Sequence, residues 1–370
     1  MMKDVVRRVG QRFMIGFEGL VASEDAKALI RQLGVGHVIL FARNVVGPEQ
    51  VAELIRELQS AAREGGHERP LFVTVDQEGG RVARLKEPWT LWPPLRAVGR
   101  SGSEELARRM GAALAAELTA CGFGGDLAPV VDVDTNPANP VIGDRSLGDD
   151  PDLVGRLGAA MIRGLQEGGV AACAKHFPGH GDTVADSHLT LPESLQPSSR
   201  WRAVEFVPFR RAIQAGVPLV LVAHLSCPAL DPASPTSLSH PVITGILREE
   251  LGFDGVVVSD DLEMSAIADR FDTGEAAVRF LEAGGDLALI CHNTERQRAA
   301  VEAVEKAVQS GRLSEARLAA SLERIALLRE WVGTHCTPVD VQTARAIVGS
   351  GDHQQLLQAF SKAVGHFPLP

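Results

Sequence analysis

A single (β/α)₈ barrel with a short helical tail is the fold class this sequence predicts, and three observations predict it. Short apolar runs alternate with amphipathic helical segments along the chain. Eight such runs can be counted, and polar or titratable residues follow six consecutive ones, where a parallel barrel carries its chemistry. A doubly wound open sheet is the alternative, but no glycine-rich phosphate fingerprint follows the first run.

In chain order the expected strands are 12–17, 37–41, 71–75, 127–133, 170–174, 219–223, 256–259 and 286–291. Each is short, apolar and bounded by Gly, Pro or polar residues. Between them, helical periodicity marks 48–63, 104–120, 153–166, 242–251 and 276–283, many opened by Ser, Pro or Asp and closed by Gly. Periodicity over 314–331 predicts a final barrel helix, and 337–370 holds one or two further helices. The expected division is a barrel domain over 1–335 and a tail over 336–370 packed on it.

The chain has 370 residues, 45% hydrophobic and 23% charged, enough for a sizeable core. Its formal net charge of −10, with no Lys/Arg-rich block, argues against a nucleic-acid binder. No window approaches a membrane helix and the first residues lack a signal sequence, so the expected location is the cytoplasm. Five scattered cysteines, at 121, 173, 227, 291 and 336, suit reduced thiols. The acidic balance and the absence of an obvious coiled coil favour a monomer.

The densest chemistry lies in Lys175-His-Phe-Pro-Gly-His-Gly-Asp-Thr-Val-Ala-Asp-Ser-His188, directly after the fifth strand. Gly179 and Gly181 are expected to let this loop move. Asp186 and His188 stand two apart, which in an extended loop puts both on one side, where a carboxylate tunes an imidazole as acid and base. Asp260 follows the apolar run Gly255-Val-Val-Val258 and is expected in the pocket as nucleophile or electrostatic stabiliser, with Asp261 structural. Arg145 and Lys175 offer donors to substrate oxygens or neutralise buried carboxylates. Asp76 suits vicinal hydroxyls or supports Gly79-Gly80, and His224 is read as a pocket-wall or core residue. A metal site built from His176, His180, Asp182, Asp186 and His188 is the rival reading, but no zinc-type ligand spacing is present. Neither a metal nor a cofactor is expected.

These motifs resemble glycoside hydrolase family 3, and within it the β-N-acetylhexosaminidase subgroup. The matching segments are Ile39 to Asn44, Val75-Asp-Gln-Glu-Gly-Gly-Arg-Val82, Ala128 to Val133, Asn139 to Ser146, Lys175 to His188 and Leu251 to Met264, the last containing Ser-Asp-Asp-Leu-Glu-Met. The resemblance implies a retaining two-step hydrolysis with Asp260 as nucleophile and His188, assisted by Asp186, as acid/base. It also implies sugar binding by Asp76, Arg84, Arg145, Lys175, His176 and Met264. A histidine acid/base departs from the usual pair of carboxyl groups.

The implied substrate is a terminal β-linked N-acetylglucosamine, including those of muropeptide fragments in cell-wall recycling. Many family members carry a second domain, for which this chain is expected to be too short. A glycoside phosphorylase or a β-glucosidase of the same family, a metal-dependent hydrolase on the same barrel and a noncatalytic sugar-binding protein are the competing expectations.

Overall fold

Eight parallel strands close into a barrel. They are β1 Phe13–Ile15, β2 His37–Leu40, β3 Phe72–Val75, β4 Gly125–Asp126, β5 Ala171–Phe177, β6 Leu219–Val222, β7 Val256–Asp261 and β8 Leu287–Ile290. Closure is direct: Phe13 lies opposite Ala288 across the β1–β8 pair. This is a computed structural model, and it describes residues 2–187, 189–336, 340–365 and 367.

Alternation along each short strand sorts the side chains into two cores. Met14, Ile39, Phe72, Cys173, Leu221, Val258 and Leu289 form one buried cluster inside the barrel. Their chain neighbours Phe13, Ile15, Val38, Val73, Ala172, Val220, Val257 and Ile290 belong to a second cluster, beneath the surrounding helices. Each fully buried Val, Leu, Ile or Phe stabilises the fold by about 1.5–3 kcal/mol, so both layers hold the barrel in register.

Three expectations need correction: the place of the fourth strand, the ends of β5 and β7, and the position of the last long helix. The fourth strand was expected at 127–133 but the ladder is formed by Gly125–Asp126, because Pro129 has no N–H with which to continue it. The segment still runs beside β5, with Val131 N donating to the Lys175 carbonyl at 2.8 Å. Strands β5 and β7 extend past their expected ends, so Lys175, His176, Asp260 and Asp261 belong to strands rather than to the loops after them. The π-helical stretch Pro241–Glu250 and the helices Glu104–Cys121 and Pro151–Glu167 match expectation to within a few residues.

The helix Glu315–His335 is not the last helix of the outer ring, a place taken by Thr294–Gln309 after β8. It crosses the amino-terminal mouth of the barrel. Its Ile325, Leu328 and Val332 join the interior cluster, and Arg324 pairs with Asp286 at 2.8 Å, just before β8. Arg329 reaches the carbonyl of Pro70, just before β3, at 2.9 Å. Beyond it the tail forms two helices, Val341–Ile347 and Gly351–Val364.

Candidate active site

At the opposite, carboxyl-terminal mouth lies a cavity of about 450 Å³. Asp76, Arg84, Arg145, Lys175, His176, Asp186, Asp260 and Met264, all expected from sequence, line it together. His188 lies outside the described residues.

The floor is an ion network. The carboxylate of Glu78, on a hairpin after β3, accepts both arms of the Arg145 guanidinium, at 2.9 and 2.8 Å. It also lies 2.6 Å from the Lys175 ammonium. Lys175 donates to Asp76 at 2.7 Å, and Arg84 approaches the other oxygen of Asp76 at 3.6 Å. Burial works against the charge on Glu78, yet Arg145 and Lys175 hold its carboxyl well below the ordinary range. Burial likewise opposes the charge on Lys175, and Asp76 and Glu78 reverse that effect and raise it. Both cations therefore neutralise carboxylates while lining the cavity.

A second chain of contacts sets His176. Its Nδ1 lies 2.7 Å from Asp132, and its Nε2 accepts from Arg145 at 3.2 Å. This assigns the proton to Nδ1. Asp132 also accepts from the backbone N–H of His180 at 2.7 Å. Although burial opposes its charge, His176 keeps Asp132 below the usual range. Burial, reinforced by His176, pushes His180 down to about 4, and its Nδ1 pairs with Thr183 at 2.7 Å. The Nδ1 atoms of these two histidines of the rival metal reading are thus taken up by protein partners.

Asp260 projects from the end of β7 and accepts the N–H of Asp261 at 2.9 Å. Asp261 accepts the N–H of Glu263 at 3.1 Å and of Cys291 at 3.3 Å, tying the β7 and β8 ends together. His224 is a buried hydrogen-bonded residue, with Nδ1 on Ser237 at 2.7 Å and Nε2 on the Asp261 carbonyl at 3.0 Å.

The segment carrying Asp186 is not extended. The Asp186 carbonyl accepts from the N–H groups of Leu189 and Thr190, both at 3.0 Å, which closes a turn. The two glycines also sit in tight places. A Cβ on Gly181 would sit 1.8 Å from the Val133 carbonyl oxygen, and one on Gly179 would sit 2.8 Å from Glu205 Cβ. Gly181 thus packs against backbone, and Gly179 meets a side chain at a φ of 135°, so both positions call for a residue without a Cβ.

Sequence reasoning gave no role to Glu78 or Asp132. Glu78 stands two residues after Asp76, the same spacing that singled out Asp186 and His188, so the signal was available. Asp126, buried beside Gln77 with burial pushing its carboxyl well above the usual range, carried no such signal.

The Glycosyl hydrolase family 3 N terminal domain matches residues 5–328. The chain belongs to glycosyl hydrolase family 3. Within it the chain is similar to a beta-hexosaminidase of Thiobacillus denitrificans, 40% identical over 76% of this chain and 78% of that one. It is similar to beta-hexosaminidase A of Pseudoalteromonas piscicida, 33% identical over 94% of this chain, of whose length it spans 64%. Among solved structures, a family 3 beta-N-acetylglucosaminidase from Paenibacillus sp. str. FPU-7 superposes with a TM-score of 0.93 at 44% identity. The match covers 97% of this chain and 68% of that one.

Proposed function

We propose that this family 3 chain is a retaining β-N-acetylglucosaminidase that removes a terminal β-linked N-acetylglucosamine. The observation that carries the proposal is the meeting of Asp260, Asp186 and the Asp76/Lys175/Arg145/His176 network around one cavity. The similarity to beta-hexosaminidases and to a beta-N-acetylglucosaminidase suggests the sugar.

In this reading Asp260 attacks the anomeric carbon while the imidazolium of His188 protonates the departing glycosidic oxygen. The sugar is left as an ester on Asp260. Neutral His188, oriented by Asp186, then takes a proton from water, whose oxygen attacks the anomeric carbon and releases the sugar with retained configuration. Asp76, Arg84, Lys175, Arg145 and His176 hold the sugar hydroxyls from the floor, and Met264 packs on the rim.

Muropeptide fragments are the proposed natural substrates and the cytoplasm the proposed compartment. All five cysteines are free thiols, four of them buried, as a reducing compartment favours. Among the described residues no helix is long and apolar enough to cross a membrane.

Turnover of 4-nitrophenyl N-acetyl-β-glucosaminide and of the matching β-glucoside tests this. Asp260→Asn should lose activity on the first by at least about a thousandfold. His188→Ala should slow glycosylation far less with the nitrophenyl leaving group than with a disaccharide. Near wild-type rates in both variants, or a preference for the glucoside, would sink the proposal. Glycosyl phosphate as the main product in phosphate buffer would make the enzyme a phosphorylase.

A further inference from the structure

At the amino-terminal mouth of the barrel, across the molecule from the active site, a cavity of about 370 Å³ is walled by the first helix, the Gly34 and Gly66–Arg69 loops, and the crossing helix Glu315–His335. Four arginines, Arg7, Arg8, Arg69 and Arg329, line it, against one lining carboxylate, Glu68. In a chain of net charge −10 this is a local excess of positive charge.

Two of the arginines are accounted for by carboxylates. Arg8 pairs with Glu315 at 3.0 Å. Arg69 approaches Glu330 and Glu68 at 3.9 Å each, the Glu68 side chain being 91% exposed. Arg329 is different. It is only 3% exposed, yet its guanidinium donates solely to neutral acceptors: the carbonyls of Pro70 and Arg69, Gln11 Oε1 and His67 Nδ1. Among the described residues no carboxylate lies within 4 Å of it. A buried guanidinium without a counter-charge is costly to desolvate, a cost that a bound anion would offset. Arg7, half-buried on the first helix, lines the same cavity and brings a second guanidinium to it.

The surroundings register this uncompensated field. His37 and His67 are both pushed down, chiefly by burial and further by Arg329. His67 accepts from Arg329 at Nδ1 and meets the Ile30 carbonyl through Nε2 at 3.0 Å, so it adds no positive charge of its own. The opposite wall is apolar, made by Leu322, Ile325 and Ala326. Four of the five Arg329 N–H groups are taken by those acceptors, so Arg329 acts on an anion chiefly through its charge. Arg7 offers the planar guanidinium that matches tetrahedral oxyanions, and the volume lies within the range of small-ligand sites.

We propose that this cavity binds a small phosphate-bearing anion, with Arg7 and Arg329 as its counter-charges. The proposal is independent of the reaction at the other mouth. Inorganic phosphate and glucose 6-phosphate serve as the two probes, titrated calorimetrically and by thermal unfolding against glucose and against chloride at equal ionic strength.

The wild-type protein should bind at least one of the two phosphates, with a rise in Tm that chloride and glucose do not give. Arg7→Gln, a change at a partly exposed site away from the substrate cavity, should weaken that binding at least tenfold and leave turnover of the aryl glycoside unchanged. Arg329→Lys should weaken it as well, and if that variant fails to fold, Arg7→Gln decides the matter. The proposal is overturned if neither phosphate exceeds chloride, or if binding is undiminished in Arg7→Gln and so belongs elsewhere.

Discussion

Among single residues, Glu78 has the greatest leverage on the site. Its carboxylate touches both Lys175 and Arg145, and removing one partner of a buried ion cluster costs about 3–5 kcal/mol because the remaining charges lose their compensation. Glu78→Gln should therefore lower the unfolding free energy by about that amount at pH 7, measured by urea denaturation. Its pH dependence has a definite sign. The carboxyl is depressed in the folded state, so its contribution is present above the unfolded value near 4.5 and is lost as pH falls below it. The gap between wild type and Glu78→Gln should shrink below pH 4; a gap that stayed constant would show that charge is not the cause. The cavity-lining residues named from sequence share the cavity because strand ends of a parallel barrel converge. The pairing of His176 with Asp132, forty-four positions apart in the chain, was not legible, since no linear spacing encodes a contact between neighbouring strands.

At the level of elements, the sequence patterns located seven of the eight strands, placed the fourth just past its observed position at Gly125–Asp126, and ended β5 and β7 too early. Apolar runs end at the first polar residue, whereas the ladder ends where backbone partners end, and so Lys175 and Asp260 were assigned to loops they only precede. Gly179 and Gly181 show a related limit: a glycine needed for close approach looks the same in sequence as one needed for motion. Gly179 abuts Glu205, which is buried at the start of the helix Phe206–Gln214, with Arg200 at 3.3 Å. Burial pushes the Glu205 carboxyl up to about 7. A raised carboxyl pKa means that its contribution is full below the unfolded value near 4.5 and is lost as pH rises through 7. Glu205→Gln should thus match wild type in stability near pH 4 and exceed it at pH 8 by on the order of 2 kcal/mol. Thermal unfolding across that range checks it, and a constant offset would place the cause in packing rather than in charge.

For the molecule as a whole, the two mouths of the barrel have different fates. The carboxyl-terminal mouth stays open as the substrate cavity, while the amino-terminal mouth is spanned by Glu315–His335, a helix whose periodicity announced a helix but not its position. A buried carboxylate helps fasten the tail beyond it to the barrel flank. Glu117, in the helix Glu104–Cys121, accepts the N–H and hydroxyl of Thr90 at 3.1 and 2.6 Å, the N–H of Gly349 at 2.9 Å, and pairs with His353 Nδ1 at 2.8 Å. Leu356 and Phe360 of the last helix are buried in the same core as the barrel's outer layer. Truncating the carboxylate leaves those buried donors without an acceptor, at about 1–3 kcal/mol each. Glu117→Ala should lower global stability by a few kcal/mol and, if the tail is a brace rather than part of the site, raise amide exchange over 349–364 well before it affects β1 to β8. Turnover of the aryl glycoside at 25 °C should persist, because no tail residue lines the substrate cavity among the described residues. Loss of turnover in a variant whose barrel amides remain protected would show instead that the tail is coupled to the active site through Trp92, whose ring lies 6.0 Å from that of His353.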